Sequence, residues 1–271
     1  MSLRKRVRLT WAGLLTAAFA FATAIPLPAF AAGEIEAIRA AGKLRVCIWP
    51  DYFGISYRNP RTGDLQGVDI DLSRAFAREL GVGLEYVETD FSRLVEDLNG
   101  NRCDAAMMGV GVTTSRLQRL DFSAPYLRSD IFAIVTRSSP IQNWSELDVP
   151  GRVIVVQQGT FMEPVMRKQL KRASLVAVQR PNEREREVQS GRADAFMTDY
   201  PYSRRMLMNT DWARVVEPNE PISMTDYAYA VAKGRGELLA RLNAFVAAVK
   251  SDGRLASAAQ PHGLLPIIVR E

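Results

Sequence analysis

The sequence predicts an α/β fold of two similar lobes, each built around a mixed, mostly parallel sheet, with a two-strand hinge between them. Short apolar strands alternate with helical patterns, which favours parallel sheets. The two halves also resemble each other weakly, since GNRCDAAM at 100–107 matches GRADAFM at 191–197. Two extended segments, 129–136 and Thr225–Ala232, would cross between the lobes.

The first lobe is expected to begin with alternating strands and helices. Apolar spacing over 72–80 and 91–98 predicts two helices, the first with Asp69 as its N-cap and Gly81 as its stop. The predicted strands of this lobe are 44–48, 84–87 and 105–112.

The second lobe follows the same plan. A helix is expected after Thr160, with Pro164 in its first turn, where proline is tolerated. The charged segment 183–190 is interpreted as an exposed helix, either solvated or used for docking. The last helix, 238–249, would pack back on the first lobe. The predicted strands of the second lobe are 153–156, 174–178 and 193–198.

The first 31 residues are interpreted as a signal peptide. Four basic residues precede an apolar segment, 11–25, and Ala29-Phe30-Ala31 fits the small-residue cleavage rule. The alternative is an uncleaved membrane anchor, which the short apolar length disfavours. Cleavage leaves 31 of the 35 basic residues against 30 acidic ones, so the mature chain is nearly neutral and no nucleic-acid partner is expected.

Cys47 and Cys103 are the only cysteines. An exported chain could join them, and both lie in or beside strands expected to be neighbours. Two buried thiols acting as small hydrophobic side chains are the alternative. With two cysteines and one histidine, no metal or cofactor site is expected.

A candidate anion receptor follows the strand at 105–112. Gly109 and Gly111 would let a ligand approach the main chain. Thr113 would cap a helix, and Arg116 could bind a carboxylate through two parallel hydrogen bonds. The structural alternative is a surface arginine paired with Asp121. Together these residues indicate a binder of a small carboxylate.

Polar residues also follow two predicted strands of the second lobe. Gly159 and Thr160 would present N–H groups at a helix start, although they could equally form an ordinary cap. Asp199 follows a buried strand and could be a cap for the helix at Pro201. Trp49 and Tyr52 follow the first strand, where rings either belong to the core or form a wall against a ligand.

Several motifs together resemble the family 3 periplasmic solute-binding proteins, the amino-acid receptors of ABC importers. The resemblance covers roughly residues 42–260. It is carried by Thr113-x-x-Arg116, Phe122-Ser123-x-Pro125-Tyr126, Gly67-Val68-Asp69-Ile70-Asp71-Leu72, Gln158-Gly159-Thr160 and the segment 194–199.

The resemblance implies a type II periplasmic binding fold with two Rossmann-like lobes that close around a ligand. The expected division is a signal peptide at 1–31, a first lobe of 32–128 plus 229–271 and a second lobe of 129–228. It also implies a periplasmic, monomeric receptor that delivers its ligand to a membrane permease.

By the same resemblance, Thr160 helps to hold the ligand carboxylate, Asp199 binds the α-ammonium group and Tyr52 stacks on the side chain. The chain departs from the branch that binds basic amino acids. Trp49 lies near where that branch has an acid, and Gly109 and Gly111 replace serines of some members. These departures favour an uncharged or apolar amino acid.

Two other functions are compatible with the resemblance. One is an enzyme like cyclohexadienyl dehydratase, with Glu163 as general acid. This requires a raised pKa, whereas the first turn of a helix favours the ionised carboxylate. The other is an accessory protein of a periplasmic quinoprotein dehydrogenase. The sequence has no Ser-His-Asp set, HExxH motif or P-loop.

Overall fold

The computed structural model describes residues 33–180 and 182–270, so the predicted signal peptide lies outside the described residues. The first half of this region contains strands β1 (Lys43–Ile48), β2 (Asp51–Tyr52), β3 (Ser56–Arg58), β4 (Leu65–Gln66), β5 (Gly83–Glu88), β6 (Ala105–Gly111), β7 (Leu120–Phe122) and β8 (Leu127–Ser129). Its helices are α1 (Glu34–Ala40), α2 (Val68–Leu80), α3 (Leu94–Asn99) and α4 (Thr114–Leu117).

The rest of the chain repeats the alternation and then returns to the first sheet. Its strands are β9 (Ile131–Thr136), β10 (Val153–Gln157), β11 (Ser174–Val178), β12 (Ala195–Asp199), β13 (Ala213–Val216) and β14 (Thr225–Ala232). Its helices are α5 (Met162–Gln169), α6 (Glu183–Gln189), α7 (Tyr200–Asn209), α8 (Gly236–Ser251) and α9 (Arg254–Ala259).

The first sheet has the order β5-β1-β6-β14-β7, and β8 also pairs with β14. Strand β1 is parallel to β5 and β6, whereas β14 is antiparallel to β6, β7 and β8. The second sheet has the order β11-β10-β12-β9-β13, with parallel pairs around β10 and antiparallel pairs around β9. The predicted α/β class with mixed sheets is confirmed.

The chain passes between the two sheets twice. The first passage is the single residue Asp130, between β8 and β9, and the second is the segment 217–224, between β13 and β14. Ser129 and Thr225, which border these passages, are paired neighbours in the first sheet, so the two passages lie side by side. The lobe boundaries remain a prediction, and β14, which a boundary after 228 would divide, lies wholly in the first sheet.

The buried strands carry the core. Every residue of β6 and β12 is buried, because each of these strands has neighbouring strands on both sides and contacts two helices. Helix α2 adds Leu72, Phe76 and Leu80 from its apolar face, as the spacing predicts. Cys47 and Cys103 form a disulfide that ties β1 to the segment before β6, which resolves the choice left open by the sequence.

Two local predictions were wrong. Helix α2 begins at Val68, and the Asp69 side chain does not cap it. The carboxylate is instead buried and accepts hydrogen bonds from the Gly109 N–H (2.7 Å) and the Tyr126 hydroxyl (2.6 Å). The interpretation of 183–190 as an exposed face was also wrong, because Arg184 and Glu185 of α6 are buried. Within the described part of the chain, no helix is both long and apolar enough to cross a bilayer.

Candidate functional site

Arg116 lies on α4, directly after the carboxyl end of β6. Thr113 caps this short helix as predicted, its hydroxyl accepting a hydrogen bond of 3.3 Å from the Arg116 N–H. The guanidinium is buried and donates to two carbonyl oxygens, Gly111 O at 2.8 Å and Gly159 O at 2.7 Å. Gly111 belongs to the first sheet and Gly159 follows a strand of the second. Arg116 therefore joins the two sheets at the point where both end.

Arg116 does not form the surface ion pair with Asp121 that was considered as an alternative. Asp121 instead pairs with Lys233 at 2.6 Å. The guanidinium also lies 5.4 Å from the centre of the Phe91 ring, within the range of a cation–π interaction. Burial lowers the pKa of Arg116 to about 10, so the group remains charged at neutral pH. A buried guanidinium is suited to bind a planar anion.

Asp199 ends β12 on the other side of the same region. Its Oδ1 accepts a hydrogen bond from the Tyr202 N–H (3.2 Å), so it does cap α7. Its Oδ2 accepts hydrogen bonds from the hydroxyls of Tyr227 (2.5 Å) and Tyr52. Burial raises the pKa of Asp199, while the bonds from Tyr227 and Tyr52 act in the opposite direction. Both the cap and a polar contact across the sheets are present.

A single cavity joins these two groups. Seven of the nine predicted binding residues line it: Trp49, Tyr52, Gly109, Gly111, Arg116, Thr160 and Asp199. The other two, Thr113 and Gly159, contact Arg116 but do not line the cavity. Its volume is about 20 Å³, enough for roughly one water molecule. An amino acid could enter only if the two sheets moved apart.

The main-chain N–H groups at the glycines are already engaged. The Gly109 N–H donates to Asp69, and the Gly159 N–H donates to Glu163 Oε2 at 3.1 Å. Thr160 does not cap a helix, since its hydroxyl donates to Gln157 O at 2.7 Å and α5 begins two residues later. The expectation that these N–H groups are free for a ligand was therefore wrong for this conformation.

Gly159 has a different role, set by close packing. It adopts a φ of +77°, and a Cβ at this position would lie 2.6 Å from the backbone nitrogen of Ser92. Ser92 follows β5 of the first sheet, whereas Gly159 follows β10 of the second. A residue without a side chain is needed for the two loops to meet this closely.

Sequence reasoning missed half of the cavity lining. Phe91 was assigned to a helix face, but it packs against Trp49 and Tyr52 with ring centres 5.4 and 5.8 Å apart. Its position three residues before α3 was the available signal. The other lining residues that were not predicted are Phe161, Met162, Arg184, Thr198, Tyr202 and Tyr227.

Glu163, the acid considered for catalysis, does not line the cavity. Its two oxygens accept hydrogen bonds from the Gly159 N–H and from Arg167, the latter at 3.0 Å. Among the residues that the structure describes, no group of three or more His, Cys, Asp or Glu side chains could hold a metal ion.

Comparison with known sequences places this geometry in a family. The profile of the bacterial extracellular solute-binding proteins, family 3, matches residues 44–263. The chain belongs to this family. The family match includes every residue of the cavity, from Trp49 to Tyr227.

Proteins similar to this chain have different activities by name. Cyclohexadienyl dehydratase of Pseudomonas aeruginosa is 29% identical over 202 residues, which cover 74% of this chain and 75% of the relative. The L-cystine-binding protein TcyJ of Escherichia coli is 24% identical over 223 residues, covering 82% of this chain and 83% of the relative.

Solved structures of family members have the same architecture. The ancestral amino acid-binding protein AncCDT-1, described as a precursor of cyclohexadienyl dehydratase, matches with a TM-score of 0.77 and 30% identity, covering 84% of this chain and 98% of that one. The substrate-binding protein AbpA of Streptococcus pneumoniae, bound to L-arginine, matches with a TM-score of 0.77 and 28% identity, covering 84% and 97%. The type II periplasmic binding fold is confirmed.

Proposed function

We propose that this chain is a periplasmic receptor that captures an amino acid by closing two lobes around it and delivers it to the permease of an ABC importer. The observation that carries the proposal is the cavity shared by Arg116, on the helix after β6 of the first sheet, and Asp199, at the end of β12 of the second sheet. A zwitterion has one pole for each of these groups. In this arrangement Arg116 binds the α-carboxylate and Asp199 binds the α-ammonium group.

Closure of the two lobes explains why Arg116 and Asp199 already have hydrogen-bond partners in the opposite lobe. The Arg116 bond to Gly159 O runs from α4, which follows the first sheet's β6, to the loop after β10 of the second sheet. Asp199, at the end of β12, accepts from Tyr227 of the first sheet and from Tyr52 of the small separate sheet β2-β3-β4. When the lobes separate, these donors and acceptors become available to the ligand. When the lobes close, water is excluded and the charged hydrogen bonds become stronger.

The hinge of this proposal consists of the two passages between the sheets, Asp130 and the segment 217–224. They lie side by side because Ser129 and Thr225 pair in the first sheet. Two short adjacent connections let the lobes rotate with few changes in backbone angle, which is a common mode of closure around ligands. Export through the segment 1–31 and action as a monomer are parts of the same proposal.

The cavity lining bears on the ligand side chain. Trp49, Tyr52 and Phe91 form one aromatic wall, and Phe161 packs against Tyr227 with ring centres 6.0 Å apart. Such rings suit the carbon skeleton of an amino acid. No acid other than Asp199 is among the lining residues, so a cationic side chain is disfavoured, in agreement with the sequence-based preference for an uncharged or apolar ligand.

Calorimetry and thermal shift with the twenty amino acids would test the proposal. A ligand at a hundred-fold excess over its Kd should add about 2.7 kcal/mol of apparent stability. Arg116→Met should abolish binding, and Asp199→Asn should weaken amino acids more than the matching acids that lack the amino group. Arg119→Met and Asp121→Asn are matched controls, because these two side chains make surface ion pairs. Absence of binding by every amino acid would contradict the proposal.

A dehydratase activity is the second candidate, because a relative with that name is 29% identical. Incubation with a cyclohexadienyl carboxylic acid, followed by ultraviolet absorption of the aromatic product, distinguishes it from a receptor. The contacts of Glu163 outside the cavity disfavour this candidate. Turnover that is lost in Glu163→Gln and retained in Glu183→Gln would favour the enzyme over the receptor.

A further inference from the structure

The cavity contains a second arginine that the proposed zwitterion does not use. Arg184, on α6, lines the cavity together with Arg116 and Asp199. It is 4% exposed, and its helix packs against strands of the second sheet. The charged residues of the lining are therefore two guanidinium groups and one carboxylate. A simple neutral amino acid would leave this set with one uncompensated positive charge.

The contacts of Arg184 hold the group in place without neutralising it. Nη1 donates to Met197 O at 3.0 Å, and the guanidinium stacks on the rings of Phe196 and Tyr202, at 5.0 and 4.4 Å from their centres. None of the ion pairs found among residues 33–180 and 182–270 includes it. Burial raises the pKa of Asp199 and the Arg184 charge is among the groups that oppose this rise, so the two side chains interact. Asp199 is also the group proposed to bind the ligand ammonium, which leaves Arg184 without a carboxylate of its own, and a buried cation in that position is costly.

The neighbouring acid does not supply that partner. Glu185 accepts a hydrogen bond from the Tyr202 hydroxyl, which in turn accepts one from Arg205 at 3.0 Å. Glu185 does not line the cavity. Tyr202 thus contacts both Glu185 and Arg205, and no ion pair joins Glu185 to Arg184 among the described residues.

Thr198 gives a second, independent indication. It is 1% exposed, lines the same cavity and follows Met197, whose carbonyl accepts from Arg184. Its hydroxyl oxygen has no hydrogen-bond partner among the described residues. Buried hydroxyls are nearly always satisfied, and an exception at a cavity indicates a group that a ligand completes. An acceptor placed there would also lie beside the Arg184 guanidinium, which lines the same cavity.

We infer that the bound amino acid carries a second carboxylate, which Arg184 and Thr198 bind. This inference rests on the proposed function, in which Arg116 and Asp199 hold the α-carboxylate and α-ammonium groups. An amino acid with an acidic side chain has a net charge of −1, which balances the lining. The sequence-based preference for an uncharged ligand rested on Trp49, Gly109 and Gly111, where the chain departs from the branch that binds basic amino acids. These departures disfavour a cationic side chain and do not exclude an anionic one.

Isothermal titration of the full mature chain with two isosteric pairs tests the inference. The probes are L-glutamate against L-glutamine and L-aspartate against L-asparagine, with L-leucine as an apolar reference. At least one acidic amino acid should bind about ten-fold or more tighter than its amide, because a charged hydrogen bond in a buried site replaces a neutral one. This ratio needs no variant and is measured first.

Two substitutions then assign the preference to residues. Arg184→Met should remove most of the acid-to-amide ratio while changing the affinity for the amides far less, and Thr198→Val should reduce the ratio by about three-fold or more. Arg205→Met is the matched control, because Arg205 also stacks on Tyr202 (4.9 Å) but does not line the cavity. It should leave the ratio unchanged even if closure is weakened.

Three results would overturn the inference. The wild-type protein could bind amides or leucine as tightly as the acids, which would leave the proposed receptor function intact. A folded Arg184→Met variant could keep the full ratio of acid to amide affinity, which would mean that Arg184 and Thr198 are structural. If Arg184→Met does not fold, the same result in Thr198→Val would overturn the inference. If the wild-type protein bound no amino acid at all, the proposed function would fail together with the inference.

Discussion

The Tyr227 hydroxyl, on a strand of the first sheet, donates a hydrogen bond of 2.5 Å to Asp199 Oδ2, on a strand of the second sheet. Tyr52 donates to the same oxygen. The carboxylate proposed to bind the ligand is therefore also a contact that holds the two sheets together. Recognition and closure depend on one group, and this relationship can be tested separately from the identity of the ligand.

Tyr227→Phe should change the pH dependence of binding. The tyrosine hydrogen bond lowers the pKa of Asp199 against the effect of burial, so its loss should raise that pKa further. A protonated Asp199 cannot attract an ammonium group. Amino-acid affinity should therefore fall on acidification at a higher pH than in the wild-type protein, as measured by titration calorimetry from pH 5 to 8.

Tyr229→Phe is the control for this change. Tyr229 lies two residues away on the same strand, but its hydroxyl donates to Asp69 Oδ1 at 3.2 Å. Its effect on the pH profile of binding should be small. Superimposable profiles for the wild-type protein and Tyr227→Phe would show that the hydrogen bond does not tune Asp199.

Gly159→Ala should disfavour closure. An added Cβ would lie 2.6–2.7 Å from backbone atoms of Phe91 and Ser92, so the two loops could no longer meet. Affinity should fall for every ligand by a similar factor, and small-angle scattering should report a larger radius of gyration. Gly191→Ala is the control, because it imposes the same backbone strain (φ +74°) with no atom within 4 Å of the new Cβ. Equal effects of the two variants would assign the loss to strain alone.

Asp69 should make the protein less stable as the pH rises. Burial raises the pKa of Asp69 to about 7, although the hydrogen bond from Tyr126 opposes this shift. The unfolded value is near 3.9. Between these values the folded protein binds more protons than the unfolded chain, so the free energy of unfolding decreases from pH 4 to 7 and then levels off. The full change is on the order of 4 kcal/mol.

Urea denaturation at several pH values measures this slope. Asp69→Asn removes the titrating group and should flatten the slope, while part of it remains because burial also raises the pKa of Asp199. Asp64→Asn, at an exposed carboxylate, should leave the slope unchanged. An unchanged slope in Asp69→Asn would mean that Asp69 is ionised in the folded protein at acidic pH.

The disulfide should contribute to stability and not to binding. Replacing Cys47 and Cys103 by alanine should lower the free energy of unfolding by about 2–4 kcal/mol, because the unfolded chain loses a constraint across 56 residues. Neither cysteine lines the cavity, so ligand affinity should be retained. Two thiols that react in the folded, non-reduced protein would contradict the assignment.

The sequence predicted the order of the main elements and half of the cavity lining, because these depend on local patterns. Apolar runs fix strands such as β6, and Thr113 precedes Arg116 at the spacing that a short capped helix requires. Residues that act on a distant segment could not be found in this way. Asp69 fits a helix start in every local respect, yet its carboxylate turns to the Gly109 N–H, 40 positions along the chain.

Arg184 is a second residue whose environment could not be predicted from local sequence patterns. Four alternating charges at 184–187 are typical of a solvated helix, and the sequence gives no sign that β12 and α7 bury the first of them. Its stacking partners, Phe196 and Tyr202, follow much later in the chain. Phe91 was likewise assigned to a helix because its spacing fits the next turn, whereas α3 begins three residues later.

A crystal structure with the tightest-binding amino acid tests the central claim most directly. The proposal predicts a single ligand between the sheets, with its α-carboxylate within hydrogen-bonding distance of the Arg116 guanidinium and its α-ammonium group within the same distance of the Asp199 carboxylate. A ligand bound outside this cavity, or one whose ammonium group lies away from Asp199, would contradict it.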